Sequence, residues 1–292
     1  MPVEVLDDDD VLLAGSDDAS AEVILQATSD DGPDPFTDSV ANTKVDKLTS
    51  NGEQIAGEPV SGVTGGDRSV EAVDGSAPGL YGGSEQEQVC DPEAMVAFLE
   101  DNPDKAQAWA GAQGIAVEDI EDFVATLTPV ILREDTRVTN NGFADGQATP
   151  FQAVLQAGTA VLVDDRGVPR VRCACGNPLG EVEPTASEPQ FTGESWSSFD
   201  SNRLISVSPS GEAVKSFRLI DVETGREFEQ PVGGGGGLTV DELINLEIPT
   251  YVCGDPKVRW KDGIHPESGT DPTGSGLIIN ISSWAGRHVS AT

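Results

Sequence analysis

Histidine is nearly absent from this chain, with two in 292 residues, and tyrosine and methionine are as rare. The usual histidine-based chemistry therefore has little material: there is no H-E-x-x-H helix, and neither a G-x-S-x-G elbow nor a phosphate-binding G-x-x-x-x-G-K loop is present. Long apolar runs are missing too. None approaches the roughly 18 residues that cross a bilayer, and no basic, apolar, small-residue leader opens the chain. The expectation is a soluble protein. Apolar residues make up 37% and aromatics 5%, so a sizeable core is expected over part of the length only.

Basic residues are outnumbered 17 to 51, which leaves a formal net charge of −34. Residues 1–90 hold 20 acidic and 3 basic residues, half of that charge in under a third of the chain. Such a field repels phosphate backbones and anionic lipid, so neither nucleic acid nor direct membrane binding is expected. A cation or a basic partner would suit it. The plainer reading is a solvated, salt-tolerant surface outside the cell, and the presence of only six lysines fits a secreted or high-salt protein.

The chain reads in three parts. Residues 1–78 form an acidic, Gly- and Ser-rich arm whose one strand-like run is AEVILQAT at 21–28. Residues 45–77 are expected to add nothing to a packed core. Residues 79–184 form a core region that opens with three short helices. Asp91 caps the first and Asn102 the second, each followed by proline, and Gly114 stops the second. VEDIEDFVATL makes the third, burying Val117, Ile120, Phe123, Val124 and Leu127.

The period then changes to that of strands, with a tight turn at Asp165–Arg166–Gly167 and another at Thr224–Gly225. Residues 185–292 are β-rich, broken by the glycine run 233–237, with a short helix at Thr239–Leu246 and a strand in GLIINIS. The fold class expected is α+β: a small three-helix subdomain packed on a β-rich body stapled by disulfides.

The four cysteines are Cys90, Cys173, Cys175 and Cys253. One C-x-C and two singletons about 80 residues away do not match paired zinc knuckles or a C-x-x-C redox site. Joining Cys173 to Cys175 would close a strained ring. Two pairings remain, 90–173 with 175–253 or 90–175 with 173–253, and either places the protein outside the cytosol.

The stretches EVILQATSDDGPDPFTDSVA, GLYGGSEQEQVCDPEAMVAFL, LREDTRVTNNGFADGQATPFQAVLQAGTAVLVDDRGVPRVRCACGNPL and FRLIDVETGREFEQPVG resemble an uncharacterised actinobacterial family, a domain of unknown function. The resemblance covers about 21–46 and 78–233. It implies an extracytoplasmic module, often attached to a transmembrane helix or a receptor-like Ser/Thr kinase, with the anchor outside this chain. No catalytic residues come with it. Where this chain has Thr139–Asn140–Asn141–Gly142–Phe143, the family often reads T-N-H-G-F; the segment is expected to be a turn.

The remaining candidates are few. His265 and His288 lie in Gly-, Pro- and Ser-rich text and read as surface residues. Asp164–Asp165 and Asp30–Asp31–Gly32–Pro33–Asp34 are acidic turns without the spacing of a dedicated calcium loop. Trp196 and Trp260 stand in polar loops and are the candidate contacts for a glycan or peptide. No catalytic residue, metal site or cofactor is assigned. The expected function is a non-enzymatic extracellular binding, sensing or structural module of the envelope, whose partner is an unknown envelope ligand or a second copy engaged through the arm. The rival is an envelope hydrolase with a site between the β-rich halves.

Overall fold

The computed structural model describes residues 22–28, 30–42, 63–64, 70–183 and 189–233. All of them lie in the first of the two units into which the chain divides, Met1–Gly235 and Gly236–Thr292. Cys253, Trp260, His265, His288, the helix expected at 239–246 and the strand expected at 276–282 are outside the described residues.

Alternation explains the sheet. In β5 (Thr128–Leu132) all five residues are buried, because successive side chains point to opposite faces and both faces are covered. Ile131 packs into a core shared with the helices, while Val130 and Leu132 enter a second core. β8 (Ala160–Val163) does the same, sending Ala160 and Leu162 one way and Val161 and Val163 the other. The second core is completed by Val73 of β3 (Glu71–Asp74), Tyr81 of β4 (Tyr81–Gly83), Ile205 and Val207 of β12 (Ile205–Ser208), and Phe217 and Leu219 of β13 (Ser216–Asp221).

The remaining strands are β1 (Glu22–Gln26), β2 (Val63–Thr64), β6 (Thr136–Ala144), β7 (Gln147–Leu155), β9 (Pro169–Arg172), β10 (Asn177–Gly180), β11 (Gln190–Thr192) and β14 (Glu227–Pro231). The spatial order is β11-β1-β7-β6-β10-β9-β8-β5-β4-β13-β14, with β12 joining β6 and β3, and β2 joining β3. Tight turns at 164–167 and around Gly225 link β8 to β9 and β13 to β14, as the sequence predicts. β12 and β13 lie past residue 185, yet they pair with β3, β6 and β4 in this same sheet.

Three α-helices lie among the described residues: α1 (Pro92–Asp101), α2 (Pro103–Gln113) and α3 (Ile120–Ala125). Asp91 caps α1 by accepting from the Ala94 N–H at 3.0 Å. Asn102 precedes α2 but its amide donates back to the Phe98 carbonyl, so it closes α1 rather than capping α2. α2 ends at Gly114 in the left-handed region. The helices do not form a core of their own. Met95, Leu99, Trp109, Ile120 and Val124 pack with Ile131, Leu162, Val171 and Cys173 of the sheet side. Val117, expected inside, is 43% exposed. Residues 117–119 form a 3-10 turn, and the regular helix begins only at Ile120, which takes Val117 off the buried face.

Two further expectations change. The segment before Gly79 carries β2 and β3 besides β1, and Val73 is 1% exposed in the second core, so the stretch 45–77, expected to add no packing, does contribute it through β3. Polar composition hid this, since only Val73 of β3 is fully buried. The 139–143 segment is also no turn: it lies within β6, paired residue for residue with β7. Its glycine answers a close approach. A Cβ on Gly142 would sit 3.1 Å from the Pro33 carbonyl oxygen, where the arm crosses the strand.

Candidate functional site

The C-x-C lies on the turn between β9 and β10, and its two thiols have different fates. Cys173 is bonded to Cys90, just ahead of α1, which ties the helical layer to the sheet. Of the two pairings left open by the sequence, the one joining Cys90 to Cys175 is thereby excluded. Cys175, expected in a second bridge under either pairing, instead carries a free thiol, completely buried. Burial pushes its ionisation up, only partly offset by the nearby Arg172 guanidinium. The turn itself needs Gly176, whose φ is +64°, and a side chain there would strike the Thr37 hydroxyl.

Arg172 is the hub of a buried polar network that holds the arm. It is 0% exposed. Its Nη2 donates to the carbonyls of Ala27 (2.8 Å) and Asp30, and its Nη1 lies 3.9 Å from Cys175 Sγ. Beside it runs a chain of amides. Asn140 donates to Gln26 Oε1 at 2.7 Å, Asn177 donates to Asn140 Oδ1 at 3.0 Å, and the Phe36 N–H donates to Asn177 Oδ1 at 3.0 Å. Backbone bonds from Thr37 to Cys175 and from Val40 to Cys173 continue the clamp. Phe36 is fully buried, and Lys105 donates to its carbonyl while lying over the Phe98 and Phe143 rings. β1 itself is flanked on both sides, parallel to β11 and to β7. The arm strand thus docks within its own chain and inside the sheet rather than at its edge.

The second cluster is Glu134–Asp135 between β5 and β6. Asp135 accepts from the Ala157 N–H at 2.8 Å and from Trp196 Nε1 at 3.0 Å. Burial raises the ionisation of both carboxyls above their ordinary range, against the pull of those hydrogen bonds on Asp135 and of Arg203 on both. Arg203 lies 3.8 Å from Glu134. Trp196 is half-buried, packs edge-on against Phe199 and covers a small cluster of Val23, Leu25, Val154 and Leu204. Trp196 therefore has packing and a hydrogen bond of its own.

The third feature is a fork in the sheet. β6 pairs with β10 at Thr139 and Asn140, and with β12 at Thr136. Between these pairings Arg137 and Val138 line a crevice of about 10 Å³. Arg137 is 3% exposed, and its Nε has no hydrogen-bond partner. Burial lowers its affinity for its proton. Sequence reading missed Arg137 and Arg172 alike; the only signal is an arginine alternating with valine in a strand, which also describes an exposed strand face.

The acidic turns are local. Asp164 Oδ1 accepts from the Arg166 and Val168 N–H groups, and Asp30 Oδ1 from the Gly32 N–H. Among the described residues no three His, Cys, Asp or Glu side chains are grouped so as to hold a metal ion. No helix among them is long and apolar enough to cross a membrane.

What the fold and these clusters define is a β-rich α+β domain, stapled by one disulfide and completed by its own N-terminal strand. Residues 71–233, just over half the chain, match the profile of a domain of unknown function, DUF6777, and the chain belongs to that family. No curated protein and no solved structure matches it.

Proposed function

We propose that this chain is a non-enzymatic extracellular module of the actinobacterial envelope, which binds or organises an envelope component or a second copy of itself. Attachment to a membrane anchor or a receptor-like kinase is part of the same proposal. The observation that carries it is the Cys90–Cys173 bridge, whose cysteines are 1% and 0% exposed inside the main core. A bridge so placed belongs to a fold that matures in an oxidising compartment. The arm adds support: its polar contacts are spent on completing the sheet, and exchange between copies would reuse the same contacts in trans.

The hydrolase reading has one observation in its favour, the raised ionisation of Glu134 and Asp135, a pattern found at general acids. Against it, both Asp135 oxygens already accept structural hydrogen bonds. The discriminating experiment incubates purified chain with isolated cell-wall sacculi, then measures co-sedimentation and release of soluble fragments. Ester, peptide and glycoside chromogens are assayed beside it. Sedimentation without turnover is the expected result. Turnover that disappears in a folded Asp135→Asn variant would replace the binding reading by the hydrolytic one.

A further inference from the structure

Among the described residues three arginines are buried, and each leaves its Nε without a partner, but two of them anchor an Nη group on backbone carbonyls: Arg133 donates to Gly79, and Arg172 to Ala27 and Asp30. Arg137 differs. Among the described residues no carboxylate lies within ion-pair distance of it and no side-chain hydrogen bond is made by it. A guanidinium cannot escape this by deprotonating in the accessible pH range. A buried cation without a counter-charge is costly, and an unsatisfied buried group of this kind commonly marks the place of a water or ion.

The sheet provides the space. Because β10 and β12 both pair with β6 on either side of Arg137, the fork between them leaves a crevice lined by Arg137, Val138, Val168, Val207, Gly180 and Glu181 among others. Its volume, about 10 Å³, is that of one water-sized particle. Glu181 also lines it, but that residue is exposed and its carbonyl is the part engaged, accepting from the Thr139 hydroxyl. The unpartnered acceptor on the neighbouring strand, Gln152 Oε1, belongs to a residue outside the lining.

We propose that the Arg137 guanidinium binds one compact monovalent anion at this fork, either a halide or the tip of a carboxylate. The small crevice and its valines exclude larger, strongly hydrated anions, and the guanidinium supplies the attraction that must overcome the chain's net negative charge. Bound there, the anion supplies the counter-charge the fold itself withholds, so it stabilises the folded state by mass action.

The test measures thermal stability of the full chain at constant ionic strength, replacing methanesulfonate, which is neither halide nor carboxylate and is too bulky to enter, by chloride or by formate. For the parent, a saturable rise of roughly 3–6 °C up to molar chloride is expected. Formate separates the sources: a response to formate alone assigns the site to carboxylates, and a response to chloride alone to halides. Arg137→Met should lose the response, and Arg137→Lys should keep part of it. Equal responses in parent and Arg137→Met, or none in the parent, overturn the proposal. Should Arg137→Met fail to fold, bromide-soaked crystals of the parent decide. Anomalous density beside the guanidinium supports the site, and a water there in molar bromide rejects it.

Discussion

Replacing Cys90 and Cys173 together by alanine tests the bond that joins the helices to the sheet. The two residues are 83 apart in sequence. In the chain-entropy treatment, opening a loop of that length restores about 4.5 kcal/mol of freedom to the unfolded chain. Both sulfurs also leave small gaps in the main core, which add up to roughly 1 kcal/mol. For a folded body of this size the total corresponds to a fall in Tm of roughly 11–22 °C. Guanidinium unfolding followed by tryptophan fluorescence reads it, since Trp109 is fully buried beside the bridge region and donates to the Gly176 carbonyl. The parent treated with reductant under partial denaturation should approach the variant. A loss below about 1 kcal/mol would refute the entropy argument, and non-reducing peptide maps that join Cys90 to Cys175 would refute the pairing itself.

Three further outcomes follow from other parts of the fold. Ile24→Pro places a residue without an N–H in a strand registered with Thr192 on one side and Ala153 on the other; a loss of about 2–4 kcal/mol is expected, and an unchanged melting temperature would show that β1 does not hold the sheet. Cys175, sealed and with its ionisation raised by burial, should resist thiol reagents in the native protein and react once it is unfolded; labelling of native protein within minutes would contradict its placement. At Asp221, burial acts to raise the carboxyl, but hydrogen bonds from the Thr224 hydroxyl and the Glu85, Thr224 and Glu223 N–H groups outweigh it and leave it below 3.8. A lowered folded value means stability that is present above 3.8 and lost as pH falls through the folded value. The stability gap between parent and Asp221→Asn should therefore shrink on acidification below 3.8, and a gap that widens there would reverse the assignment.

Local chemistry was legible in the chain. Asp91 before Pro92 sets the start of α1, and Gly114 the end of α2, because caps and stops act within a few residues. The turns around Gly167 and Gly225 could be read for the same reason. So could the strand at 21–28, since a short Val- and Ile-rich run in a polar segment has few other ways to be satisfied. Pairing was legible only as a pair of alternatives. The choice of Cys90–Cys173 depends on which face of the β9–β10 turn meets the helices, a matter of register between distant strands.

What only the tertiary structure decided is where polar residues go. Thr139–Gly142 has the composition of a turn, yet it is strand because nine pairs with β7 hold it and the arm's backbone fills the space above Gly142. Val117 keeps the helical spacing but not the helical position, because the regular turn starts three residues later. Val73 is the only fully buried residue of β3, and a single apolar position gives no period to read. Arg172 and Arg137 show the limit most clearly. Both alternate with valine in strands, but one is enclosed by the carbonyls of an arm about 145 residues earlier in the chain, and the other lies at a fork created by two later strands that pair with β6 in opposite senses, β10 antiparallel and β12 parallel. Burial of a charge depends on what the rest of the chain brings to it, and that is a property of the assembled sheet.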